Sequence, residues 1–107
     1  MIKVDYFKHF HKRFKKLNKK NKNLIYDIMD LVELLKQNPT LGISLGHSMY
    51  KIRVSNSSKN IGKSGGFRVI TYFIDENDTI YLAEIYEKND IENIPITDLI
   101  ELVKKEF

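Results

Sequence analysis

Tyr50-Lys51-Ile52-Arg53-Val54 and, a few residues on, Gly62-Lys63-Ser64-Gly65-Gly66-Phe67-Arg68-Val69-Ile70 decide how this chain folds. In the first run apolar and cationic residues alternate. Tyr50, Ile52 and Val54 therefore point to one side of a strand, and Lys51 and Arg53 to the other. The second run leaves a glycine-rich loop and becomes apolar almost throughout from Phe67 to Ile74, which predicts a strand in the middle of its sheet. Provided the register agrees, Arg68 lies across from Lys51 and Arg53, with Ile70 and Tyr72 on its own face. Asp75-Glu76-Asn77-Asp78 is a tight-turn sequence. Thr79 to Tyr86 then makes a third strand and completes an antiparallel meander, with Tyr86 and Lys88 on a common face at its end.

Upstream the period changes. Phe7, Phe10, Phe14 and Leu17 recur at helical spacing, and lysines fill the remaining surface. The run Asn18 to Asn23 closes this helix with turn formers and cations that suit the helix dipole. Asn23 can cap a second helix, whose stripe is Leu24, Ile28, Leu31 and Leu35 and which Asn38-Pro39 stops. Ile2-Lys3-Val4 reads as a short strand, and Thr40 to His47, punctuated by Gly42 and Gly46, reads as a loop. Downstream, Pro95 opens a helix with a stripe of Ile96, Leu99, Ile100, Val103 and Phe107. The expected architecture is α+β: an N-terminal helical hairpin packed on an antiparallel β-sheet, with a C-terminal helix and all helices on one sheet face.

At 107 residues, 42% of them hydrophobic and 30% charged, the chain suits a single globular domain over 1–107. It has no cysteine, so disulfides and thiolate metal sites are excluded, as fits a reducing cytoplasm. Charge begins within the first residues and no apolar run reaches membrane-spanning length, so a cytoplasmic protein without a membrane partner is expected. Eighteen Lys+Arg against 14 Asp+Glu leave a net charge of +4. The cations gather before Lys22 and between Lys51 and Arg68, whereas the acidic residues collect after Asp75. Clustered cations without neighbouring carboxylates point to a polyanion, RNA foremost.

Gly62-Lys63-Ser64 ends like a phosphate-binding P-loop, but Ser57 stands where that motif needs its first glycine, and a strand follows where it needs a helix. Glycine backbone beside Lys59 and Lys63 can still approach a phosphate. His9 and His11 fall on different helix faces and cannot chelate together. His47, in the loop before the first sheet strand, could reach the basic site, but the expectation is a loop histidine with no role. No metal site and no cofactor are expected.

Taken together, Lys51-Ile52-Arg53, the Gly-Lys-Ser-Gly-Gly-x-Arg run ending at Arg68, and Ile85-Tyr86-Glu87-Lys88-Asn89-Asp90 resemble the RelE/ParE superfamily of type II toxin–antitoxin toxins, most closely its RelE-like branch. The resemblance covers nearly the whole chain. It implies a toxin neutralised by a cognate antitoxin, meeting operator DNA only through that antitoxin. It also implies an mRNA endoribonuclease that acts on the ribosome without metal, by attack of a 2′-hydroxyl on the adjacent phosphate. By position, Lys51 and Arg53 would serve as base or phosphate stabiliser, Arg68 and Lys88 would complete the catalytic set, and Tyr86, Lys59 and Lys63 would bind RNA. The family's pattern carries a further arginine just after the lysine and a tyrosine near the C-terminus. Asn89 and the Ile94-Pro95 region stand there instead, which leaves the general acid unassigned. The alternatives are a ParE-like inhibitor of DNA gyrase and a weak toxin acting through antitoxin-dependent DNA regulation.

Overall fold

The computed structural model describes residues 1–88 and 93–107. In chain order they form β1 (Lys3–Tyr6), α1 (Lys8–Lys20), α2 (Leu24–Gln37), β2 (Ile43–Gly46), β3 (Met49–Val54), β4 (Phe67–Ile74), β5 (Thr79–Glu87) and α3 (Ile96–Glu106). The five strands make one sheet in the order β1-β5-β4-β3-β2. β1 runs parallel to β5, and the other pairs are antiparallel. The meander is therefore as expected, with apolar β4 in the centre.

The sheet carries a core on each face. On one side Phe10, Leu24, Ile28, Leu31 and Leu35 of the helical hairpin bury Ile52, Val54, Phe67, Val69 and Ile85. On the other, Leu99 of α3 closes over Met49, Ile70 and Tyr86, flanked by Ile96 and Ile100. This amends the expectation of helices on a single face. Strand alternation sends Met49 and Ile70 away from the hairpin, and a second apolar cluster at about 1.5–3 kcal/mol per large buried side chain needs its own cover. α3 supplies it.

Two further details depart from expectation. Ile43–Gly46, read as loop, is an edge strand paired with β3 through an irregular register. Gly42 enters it at φ +101, and a Cβ there would sit 2.5 Å from the carbonyl oxygen of Lys51. Asn23 holds the N-cap position of α2, but its side chain makes no capping bond. Its backbone carbonyl instead accepts from Tyr26 and Asp27, and its N–H donates to Ser58 Oγ. The β3–β4 connection is pinned below by Asn56, whose Nδ2 donates to Oδ1 of buried Asn21 at 2.9 Å, while Asn21 Nδ2 donates to the Leu17 carbonyl. This tie fixes the basic loop to the junction between α1 and α2.

Candidate functional site

Register places the cations. Arg53 pairs directly with Arg68 across β3 and β4, and Arg68 pairs in turn with Tyr86 of β5. Lys51 lies two residues before Arg53 on the same face. Arg53 is exposed, whereas Lys51 and Arg68 are half-buried. Lys51 Nζ donates to Asn93 Oδ1 at 3.1 Å. Among the described residues none of Lys51, Arg53, Lys63, Arg68 and Lys88 enters an ion pair.

Arg68 also organises the loop. Its Nη1 donates to the carbonyls of Lys63 and Phe67, and its Nη2 to that of Ser64, at 3.0 to 3.2 Å. Three of the guanidinium's five donors are thus turned to backbone carbonyls, which fixes its plane and leaves the outer edge for an anion. Gly66 explains part of the glycine run. A Cβ there would lie 2.2 Å from the Val54 carbonyl oxygen, so only glycine lets the loop enter β4 this close to β3.

Lys51, Arg53, Lys63 and Arg68 line one open cleft of about 840 Å³ together with Asp27 and Asp30 of α2. Lys88 stands just beyond β5, where its N–H donates to the Gly66 carbonyl and extends the ladder at the Arg68 end of β4. Lys59 lies apart in the turn Ser57–Lys59. Tyr86 is only 1% exposed, packed with Met49, Ile70 and Leu99. Its ring is part of the core, and burial raises its phenol above the ordinary 10.0, although the Arg68 guanidinium pulls the other way. His47 occupies the β2–β3 turn at φ +53, at the far end of β3 from Arg53. Asn89 lies outside the described residues.

One charged centre was not anticipated. Glu84, buried on β5, accepts from His9 Nε2 at 2.5 Å and lies 3.5 Å from Arg13 Nε, both on α1. The His9 backbone N–H donates to Glu106 Oε1, so the same corner ties α1 to α3. A lone carboxylate inside an apolar strand was the available signal, and His9 and Arg13, four apart on one helix face, were its partners.

The model of the RelE family, toxins of the RelE / RelB toxin–antitoxin system, matches residues 3–105, and the chain belongs to that family. Membership implies a cognate antitoxin of the RelB type.

Proposed function

We propose that the chain is an mRNA endoribonuclease that halts translation, with Arg53 and Arg68 gripping the scissile phosphate. The observation that carries this reading is their direct pairing. Like charges opposite each other on neighbouring strands are destabilising, so a fold that keeps them without a carboxylate between them is poised for an anion. In this reading the 2′-hydroxyl gives up its proton and attacks the adjacent phosphorus. The P–O5′ bond breaks, the products are a cyclic phosphate and a 5′-hydroxyl, and the departing oxygen takes up a proton. Arg53 and Arg68 neutralise the extra charge on the pentacoordinate phosphorane, the kind of preorganised electrostatic help that is worth roughly 10²–10³ in rate per donor. Lys51, beside them, serves as the base or as a third cation. Lys88 lies towards the leaving oxygen, and Lys63 holds the RNA backbone in the cleft, with Lys59 further along the loop.

The cationic set favours nuclease over gyrase inhibitor, because poisoning gyrase calls for no clustered cleavage site. Induced expression followed by primer extension on cellular mRNA tests this. Discrete cleavage that disappears in Arg68→Ala is expected, and repetition in vitro with and without ribosomes reports ribosome dependence. Intact mRNA accompanied by gyrase-linked DNA breaks would overturn the reading.

A further inference from the structure

Neutral oxygens hold two cations of the cleft. Arg68 donates to three backbone carbonyls, and Lys51 Nζ donates to the side-chain carbonyl of Asn93 at 3.1 Å, a contact between residues 42 positions apart. A carboxylate would bind either group more tightly, but it would also offset the charge that a phosphate is to meet. An uncharged acceptor fixes the side chain and leaves its full charge for an incoming anion.

Asn93 reaches Lys51 because α3 is docked. Its neighbours Ile94 and Ile96 pack on the cluster of Met49, Ile70, Tyr86 and Leu99. The Pro95 carbonyl accepts from the N–H groups of Asp98 and Leu99 as the helix begins. Met49 and Lys51 share one face of β3, so the strand that buries Met49 under α3 presents Lys51 beside the entry to that helix. The Asn93 residue is itself exposed, and among the described residues its side chain bonds to Lys51 alone. It contributes to no core and to no helix cap. What it touches is a cation of the cleft.

We propose that Asn93 is a positioning residue for RNA cleavage: it aims the Lys51 ammonium at the scissile phosphate and, being neutral, leaves that charge intact. The inference rests on the nuclease reading and deepens it. A free lysine side chain samples many rotamers, and ordering it only as the reaction proceeds slows the chemical step. The bond to Asn93 orders it before RNA arrives. An ammonium has three donors, so two stay open once that bond is made. Lys51 thus joins Arg53 and Arg68 as a third cation on one face of the sheet.

The test compares two substitutions in the full-length toxin by single-turnover cleavage of a message that the wild type cuts, with toxin in excess. Asn93→Ala is expected to lower the maximal rate about 10-fold and to leave the half-saturating toxin concentration within about twofold. Asn93→Asp keeps the shape and the acceptor oxygen but adds a charge, and it is expected to be slower than Asn93→Ala. Neither substitution is expected to slow the residual cleavage of Lys51→Ala any further, since the effect of Asn93 passes through Lys51. Acylation of Lys51 relative to exposed Lys59, read by mass spectrometry without RNA, is expected to rise in Asn93→Ala and to fall in Asn93→Asp. Wild-type activity in Asn93→Asp, or a further loss in the Lys51→Ala background, overturns the proposal. A lower melting temperature in both variants makes Asn93 a structural residue and overturns it too. A toxin that cleaves no message while the acylation shifts as expected would sink the nuclease reading and leave the tie between Asn93 and Lys51 standing. Unchanged acylation would break the tie itself.

Discussion

Arg53 and Arg68 face each other directly where β3 pairs with β4, two guanidinium groups on one face of the sheet with no described carboxylate paired to either. A cross-strand like-charge pair costs the folded state about 0.2–1 kcal/mol. Arg53→Gln is therefore expected to raise stability by a few tenths of a kcal/mol, seen as a higher urea midpoint at unchanged slope, while RNA cleavage falls by roughly 10² or more. The stability gain shrinks as salt is added, since screening already weakens the repulsion. A variant that is both less stable and fully active contradicts this account.

Gly66 is expected to tolerate no side chain. Its missing Cβ faces the Val54 carbonyl, with the Asn56 nitrogen 2.9 Å away, and these are backbone atoms that cannot swing aside. Gly66→Ala should cost about 1–3 kcal/mol by forcing β3 and β4 apart, and it should misplace Arg53 and Arg68 together. Gly62→Ala, where a Cβ meets nothing within 4 Å, is the control and should melt like the wild type. Paired thermal melts decide the matter.

Much of this site was legible because alternation and register are local facts. Lys51 and Arg53 had to share a face, and the meander brought Arg68 opposite Arg53. What escaped depended on contacts between distant segments. Ile43–Gly46 is short, largely exposed and bounded by Gly42 and Gly46, so it shows no buried face and reads as a loop. The stripe on α3 announced that the helix packs, and nothing in it could say which sheet face it meets. Tyr86 matches an RNA-binding position of the family, but its burial follows from Leu99 arriving over it. The corner of Glu84, His9 and Arg13 joins residues some seventy positions apart, beyond any periodicity.

That corner should be a measurable part of the fold. Glu84 is buried while its partners keep about a third of their side chains in water, so removal of the carboxylate leaves polar groups that water can still reach. Glu84→Ala is expected to cost about 1–3 kcal/mol, short of the penalty for stranding a fully buried charge. A double-mutant cycle with His9→Ala should give a coupling of about 0.5 kcal/mol or more. Additive losses would mean the two groups are neighbours without interaction.

Tyr86 gives the fold an alkaline limit. Burial, the larger influence, holds its phenol above the ordinary 10.0 against the pull of Arg68, and the Glu84 carboxylate adds to the rise. Below pH 10 the folded and unfolded chains both keep the proton, and the phenol adds no pH dependence. Above it the unfolded chain releases the proton first, so the unfolded state binds fewer protons and stability falls as pH rises. Tyr86→Phe removes this contribution while leaving the lysines and the other tyrosines to titrate as before. Melting temperatures of the two proteins should keep a constant offset up to pH 10 and then converge or cross, with the wild type falling faster. Parallel curves through pH 11 would show that the Tyr86 hydroxyl reaches water in the folded protein and that α3 covers it less tightly than its packing against Leu99 indicates.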